Sequence, residues 1–336
     1  MTHVIFGSGP VGCAAAGLLL NKGFRVRMVN RSARAPAGAF TRITPEQAAR
    51  LEIQSADAMD MAAVRRAAEG ATHLYYCVGA VYQDWEKLLP AMHANIVRAA
   101  KENDAVFAAA ENLYMYARRI PVINEDARVQ PPSRKGRLMQ RLHDNLVQEG
   151  RRHGLRWTAV RASDFYGPLA TGQSLFGTER FLGPLSAGKQ PLLWGSFDVP
   201  HTFTYVEDYG RALVVAALSP EAHGKAWIVP NDRTVTIRAL ARLFFDAAGF
   251  PNGKAPRMRR IPRAAFAAAG LFIPLMREVL EVLYQKEEPY VVDGSRFQAV
   301  FDFKPTTLED GVRRTLEWHR AGPHARVSPA TEGGSR

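Results

Sequence analysis

The sequence predicts an α/β chain whose core is a doubly wound parallel sheet. Short apolar runs alternate with helical stretches as far as about residue 165. The first run, Val4-Ile5-Phe6, leads at once into Gly7-Ser8-Gly9-Pro10-Val11-Gly12, and a helix-forming stretch from Ala14 to Asn21 follows. Parallel strands need crossover connections, and the intervening helices supply them.

Taken in order, strands are expected at residues 4–6, 25–29, 52–55, 72–78, 105–110 and 156–161, with helices at 45–51, 59–69, 85–103 and 132–153. At the first strand–helix turn the glycines are spaced G-x-G-x-x-G. Gly7 permits the turn, Gly9 lets the backbone approach a pyrophosphate, and Gly12 lets the helix pack close to the strand. Ser8, Pro10 and Val11 complete a loop that would hold a dinucleotide on free N–H groups at a helix N-terminus, so the fold class is Rossmann-type. The second strand ends in Asn30-Arg31-Ser32, with no acidic residue to bond a ribose 2′-hydroxyl. A guanidinium meets a phosphate with paired charge-assisted hydrogen bonds, so Arg31 favours NADP over NAD. The alternative is that Arg31 and Arg34 are solvated loop charges.

Composition narrows the class. The chain has 336 residues, 47% of them hydrophobic, enough for a sizeable core. Its net charge of +12 comes from 44 basic and 32 acidic residues, but the basic ones are dispersed apart from short clusters such as Arg151-Arg152 and Arg257-Met258-Arg259-Arg260. Without a long basic run interleaved with aromatics, nucleic acid is not an expected partner. Cys13 and Cys77 are the only thiols, which excludes a disulfide framework and points to a reducing, cytoplasmic compartment. No signal peptide is expected ahead of the first strand. The apolar stretch 264–283 is interrupted by Gly270, Pro274, Arg277, Glu278 and Glu281, too often to span a bilayer, and no membrane partner is expected. It reads as an amphipathic helix on the core, with a pocket-lining or dimer-contact role as alternatives. The histidines and cysteines show no paired ligand spacing, so no metal is implied, and there is no G-x-S-x-G elbow.

The expected organisation is a dinucleotide-binding domain over 1–168, with some later segments returning to it, and a smaller C-terminal α/β substrate-binding part over 169–320. A disordered tail is expected over 321–336, which is rich in Gly, Ser and Pro. Ligands of open parallel sheets bind beyond the carboxyl ends of the strands. That rule singles out Asp57 and Ala58, Gly79 and Ala80, Asn112 to Tyr116, and Asp164 to Pro168.

Several of these segments, in this order, carry a resemblance. Cys77-Val78-Gly79-Ala80, Arg161-Ala162-Ser163-Asp164-Phe165-Tyr166-Gly167-Pro168, Tyr205-Val206-Glu207-Asp208 and Phe303-Lys304-Pro305 with Leu308, Gly311 and Trp318 are similar to motifs of the extended short-chain dehydrogenase/reductases of the NAD-dependent epimerase/dehydratase type. The resemblance runs from residue 3 to about 320. It implies adenine contacts at Asp57 and Ala58, ribose contacts at Val78, Gly79 and Ala80, and a cofactor contact at Ala162. It implies substrate contacts at Asp164, Tyr166 and His201, and a homodimer through helices near 85–103 and 133–149.

The chain departs from that family where the chemistry lies. The Tyr-x-x-x-Lys pair is replaced by Lys135 and Met139, and Asn112 stands where a serine would polarise the substrate carbonyl. A replacement set is expected: Tyr114 as acid/base, Lys135 as its activator and a cofactor contact, and Asn112 as carbonyl anchor. Tyr114 as a core or substrate-stacking aromatic is the alternative. Arg134, Lys135 and Arg137 crowd the first turn of a helix capped by Ser133, where the dipole disfavours cations; Arg134 and Arg137 read as solvated charges, with a compensating anion, a substrate carboxylate or the cofactor, as the alternative. The leading functional reading is NADPH-dependent reduction or oxidation of a small carbonyl or alcohol. An epimerase, dehydratase or isomerase that retains its cofactor, and a catalytically silent NADP-binding sensor, are the alternatives.

Overall fold

The computed structural model describes residues 1–41, 43–170, 174–250 and 257–322. Six strands, β1 (Thr2–Phe6), β2 (Arg25–Asn30), β3 (Leu51–Ser55), β4 (His73–Tyr76), β5 (Val106–Asn112) and β6 (Trp157–Ala162), join a seventh, Lys225–Ile228. The sheet is parallel throughout and runs Lys225–Ile228, β6, β5, β4, β1, β2, β3. The crossovers are α1 (Pro10–Asn21), α2 (Pro45–Ala48), α3 (Met61–Ala68), α4 (Trp85–Glu102) and α5 (Arg134–His153). Strand order reverses between β1 and β4, which opens a crevice at their carboxyl ends.

Alternation along β1 builds both layers of core. Val4 and Phe6 pack with Ile96 and Phe107 under α3 and α4, whereas Ile5 packs with Leu19, Tyr75 and Leu213 under α1 and the helix Val206–Leu218. That last helix crosses α1 so closely that a Cβ on Gly210 would stand 2.5 Å from the Ala14 Cβ. Helix ends follow local chemistry. Ser133 accepts the Gly136 N–H at 2.9 Å, and Gly154 closes α5 in the left-handed conformation.

Element boundaries shift by a few residues from expectation. The predicted helix 45–51 stops at Ala48, because Leu51 is already paired in β3. The predicted strand 72–78 is shorter, ending at Tyr76, so Cys77 and Val78 lie in the turn beyond it. The seventh strand, which pairs with β6, was not foreseen. Cys13 and Cys77 are both free thiols.

The remaining segments surround a second cluster in which Phe176 stacks on Phe244 at 5.5 Å, with Phe181 edge-on to both. Two sequence motifs meet at its border, where Asp208 accepts from the Thr306 N–H at 2.6 Å and hydroxyl at 2.9 Å. Residues 264–283 form two main helices, Arg263–Ala269 and Pro274–Val282, separated at Gly270 and Pro274 as their conformational preferences require. Among the described residues no helix is long and apolar enough to cross a membrane. The expected disordered tail lies, from residue 323 on, outside the described residues.

Candidate active site

A cavity of about 660 Å3 lies over the carboxyl ends of the strands. Its floor at β1 is the glycine turn. Gly7 has φ +108°, and a Cβ there would meet the Cys77 carbonyl oxygen at 2.2 Å, while a Cβ on Gly12 would meet the Gly7 oxygen at 2.1 Å. Gly9 differs, since nothing lies within 4 Å of where its Cβ would be. Gly9 is also the N-cap of α1, with no side-chain cap bond and no acidic residue in the first turn. The helix therefore presents uncapped N–H groups beside open space, a cradle suited to a phosphate. Ser8, Pro10 and Val11 line the cavity, whereas Gly12 lies beneath the turn.

At β2, Asn30 fastens the next loop to this turn. Its amide donates to Ser8 Oγ at 2.9 Å and to the Arg34 carbonyl at 2.9 Å, and its oxygen accepts the Ser32 N–H at 3.0 Å. Arg31 lines the cavity and has no carboxylate partner among the described residues, while Ser32 orients Asn30 from outside. Asp57 and Ala58 follow β3, and Asn95 of α4 pins that loop by donating to the Ala58 carbonyl at 2.9 Å. Val78, Gly79 and Ala80 follow β4, and Ala162 ends β6 on the same wall.

Asn112 and Tyr114 both line the cavity beyond β5. The Asn112 side-chain oxygen accepts the Tyr114 N–H at 3.0 Å, and the Tyr114 hydroxyl lies 2.7 Å from that of Tyr82. Burial, then the neighbouring Tyr82 and Asp164, pushes the Tyr114 phenol well above its ordinary pKa, and burial pushes Tyr82 up to about 12. Behind them Glu111 bridges His143 at 3.0 Å and Arg161 at 2.9 Å, and Arg161 donates to the Tyr116 hydroxyl at 2.7 Å. Burial alone would raise the Glu111 pKa, but His143 and Arg161 bring it down to about 2.

Lys135 stands elsewhere than expected. Its ammonium, 3% exposed, bonds to Glu278 and, at 2.8 Å, to Glu281. The Tyr114 hydroxyl is not among its partners, and the expected lowering of the Tyr114 pKa is replaced by a rise. Lys135 is not part of the cavity wall and reaches it only through Tyr82, whose ring centroid is 5.2 Å from Nζ. Glu281 also accepts the Arg134 N–H and, at 3.3 Å, the Lys135 N–H. The compensating anion at the start of α5 is thus supplied by the chain itself. Met139 packs against the same apolar cluster as Tyr114.

Asp164 lines the cavity and is held by Lys286 Nζ at 2.6 Å, with His201 Nε2 at 3.0 Å. Burial would raise its pKa, but Lys286 and His201 together hold the carboxyl well below the usual range. His201, 1% exposed, lies behind Asp164 and stacks on Tyr290, which itself faces the cavity. Tyr166 corrects an expectation. It is fully buried against Tyr205 and Phe244, and its hydroxyl is aimed at Gly311, because the strand Phe165–Tyr166 alternates and only Phe165 faces the cavity. Sequence reasoning missed Tyr82, Gln285, Lys286 and Tyr290. Only Tyr82, just beyond the end of β4, carried a positional signal.

Comparisons with known proteins agree with this architecture. None of the curated proteins matches the chain. Among solved structures it is similar to Pal from Bacillus thuringiensis, with a TM-score of 0.75 and 18% identity over 96% of this chain and 99% of that one. It is similar to the UDP-glucose 4-epimerase of Thermus thermophilus in complex with NAD, with a TM-score of 0.74 and 18% identity over 96% and 100%. It is also similar to the dTDP-glucose 4,6-dehydratase of Bacillus anthracis in complex with NAD, with a TM-score of 0.76 and 12% identity over 96% and 97%. At these identities the likeness shows a shared fold. Residues 4–229, from β1 through the seventh strand, match the model of one family over the whole central sheet, and the chain belongs to the NAD dependent epimerase/dehydratase family.

Proposed function

We propose that the chain binds a nicotinamide dinucleotide along the cavity and exchanges hydride with a hydroxyl-bearing small molecule, in the self-restoring manner of an epimerase or dehydratase. One observation carries the reading. Between Arg31 beyond β2 and Asp164 beyond β6 the cavity passes the glycine turn and crosses the ends of five adjacent strands. At about 4.8 Å per strand, the four steps span about 19 Å, the scale of an extended dinucleotide. The Thermus thermophilus and Bacillus anthracis NAD complexes among the similar folds support the same ligand.

Gly7, Ser8, Gly9, Pro10 and Val11 would form the pyrophosphate cradle with Gly12 packed beneath it, Asn30 and Arg31 the adenosine-ribose site with Ser32 orienting Asn30, Asp57 and Ala58 the adenine wall, and Val78, Gly79, Ala80 and Ala162 the inner ribose wall. When bound, the dinucleotide supplies a hydride acceptor and donor. Tyr114 keeps its proton and offers it as a hydrogen bond to the substrate oxygen, and Asn112 supports that oxygen, while the proton that leaves the hydroxyl as its carbon gives up hydride passes to bulk solvent and is regained when the hydride returns. Lys135 supports the tyrosine pair through Tyr82. Asp164 stays ionised and accepts only, so it selects a substrate that donates an O–H or N–H. His201 and Lys286 position Asp164.

A second reading, net reduction by NADPH, is favoured by Arg31 alone. One experiment separates the two. Calorimetry with NADPH and NADH measures binding. Incubation of the loaded protein with nucleotide sugars, other polyols and small carbonyls then shows either product formed without net change in nicotinamide absorbance, or stoichiometric NADPH consumption. Absence of binding to either dinucleotide overturns both readings.

A further inference from the structure

The helical hairpin formed by Arg263–Ala269 and Pro274–Val282 is unusual for what it leaves outside. Leu271 is 77% exposed, Phe272 86%, Ile273 49% and Leu275 37%, all within one turn at the hairpin tip. The first helix buries only Phe266, and Ala264, Ala265, Ala267 and Ala268 are exposed. Scattered exposed apolar residues are ordinary, but a contiguous large apolar tip marks a contact surface.

Charge specifies the contact. Between positions 257 and 277 the chain carries Arg257, Arg259, Arg260, Arg263 and Arg277 and no acidic residue. Arg263 is paired with Glu287, while Arg257, Arg259, Arg260 and Arg277 have no carboxylate partner among the described residues. Arg277 belongs to the tip, since its Cγ packs against Gly270, 2.9 Å from where a Cβ would be. Arg259 and Arg260 are exposed on the strand Arg259–Ile261 that leads into the hairpin. The seven-residue helix between that strand and the tip is about 10 Å long, within a Debye length of the apolar residues. A surface that takes Leu, Phe and Ile side chains while presenting negative charge to a ring of guanidiniums is an anionic lipid bilayer.

We propose that this hairpin tip docks on an anionic membrane surface, with Leu271, Phe272 and Ile273 inserted at the headgroup boundary and Arg259, Arg260 and Arg277 on lipid phosphates. This is a peripheral seat, different in kind from the bilayer span that the sequence argues against. It also links surface to site. Helix Pro274–Val282 carries Arg277 outward and Glu278 and Glu281 inward to Lys135, beside the Tyr82 wall of the cavity. The inference rests on the hairpin alone and stands whether or not a dinucleotide binds.

The test is flotation of the full chain with phosphatidylcholine vesicles, with and without phosphatidylglycerol. The expected result is binding to the mixed vesicles, weakened by salt, and little binding to phosphatidylcholine alone. Leu271→Ser/Phe272→Ser/Ile273→Ser and Arg259→Glu/Arg260→Glu should each lower vesicle binding at least tenfold. Both sets are exposed, so thermal melts should match the parent. Phe272→Trp gives an independent readout, with its emission shifting to the blue on mixed vesicles and being quenched by brominated lipid. Absence of flotation, or flotation unaffected by the triple serine variant, overturns the proposal. So does a triple variant that only converts a dimer to a monomer, which makes the tip an interface between copies.

Discussion

The Tyr82 and Tyr114 hydroxyl oxygens lie 2.7 Å apart in the cavity wall, with the Lys135 ammonium 5.2 Å from the centroid of the Tyr82 ring. Both tyrosines line the cavity, and Tyr82 is the one in contact with the cation. A phenol with a raised pKa cannot serve as a base at neutral pH, but it remains a reliable hydrogen-bond donor. Tyr114→Phe is expected to lower kcat by about 10²-fold, with dinucleotide affinity unchanged. Tyr82→Phe is expected to have a smaller effect in the same direction. Steady-state kinetics on the substrate identified by the panel checks both, and a Tyr114→Phe enzyme of full activity removes this residue from the mechanism.

Gly7 and Gly9 should fail in different ways. A methyl group on Gly7 collides with the Cys77 carbonyl in a left-handed backbone, so Gly7→Ala should destabilise the fold. Gly9→Asp adds a favourable N-cap residue in open space, so its melting temperature should equal or exceed the parent's. The same carboxylate would occupy the phosphate cradle and repel it, and calorimetry should show dinucleotide binding lost.

Arg31 tests cofactor choice without touching the fold. It is exposed and unpaired among the described residues, so Arg31→Ala should leave stability within about 0.5 kcal/mol. The Kd for NADPH should rise about tenfold or more, corresponding to about 1.4 kcal/mol, and that for NADH should change little. Equal losses for both dinucleotides would assign Arg31 to general electrostatics.

Glu111 links the site to acid stability. Its folded pKa, brought down to about 2 by His143 and Arg161 against the effect of burial, lies below its unfolded value of about 4.3. The folded state therefore holds fewer protons between those values. The contribution is complete above the unfolded pKa and is lost as pH falls through the folded one. Glu111→Gln should be destabilised at pH 7 by roughly 3 kcal/mol, because Arg161 stays buried without its carboxylate. Urea midpoints should show the gap to the parent narrowing as pH falls from about 4.3 toward 2, and a constant gap would contradict the assignment.

How much of this was legible in the sequence depended on distance along the chain. The cradle is local, since Gly7, Gly9, Gly12 and Arg31 sit within two strands and one helix, and period and turn chemistry suffice to find them. The reactive end gathers Asn112, Tyr114, Asp164, Lys286 and Tyr290, of which the last two come from a segment with no motif. Lys135 shows the same limit from the other side. Its first-turn position signalled an uncompensated cation, but the compensating Glu278 and Glu281 lie more than a hundred residues away. Tyr166 was misplaced because a motif match names a residue type, while strand alternation decides which face receives it.

The seventh strand, Lys225–Ile228, closes the sheet beside β6, whose residues Trp157 to Ala162 are all buried. A fragment ending at residue 168 would retain the glycine turn, yet it would bare the N–H and C=O groups along that apolar margin to any passing chain. A fragment of residues 1–168 is thus not expected to fold on its own. A ribosome must deliver the downstream residues before the upstream strands are safe from self-association, and truncation at the apparent domain border should yield aggregates rather than a minimal binder.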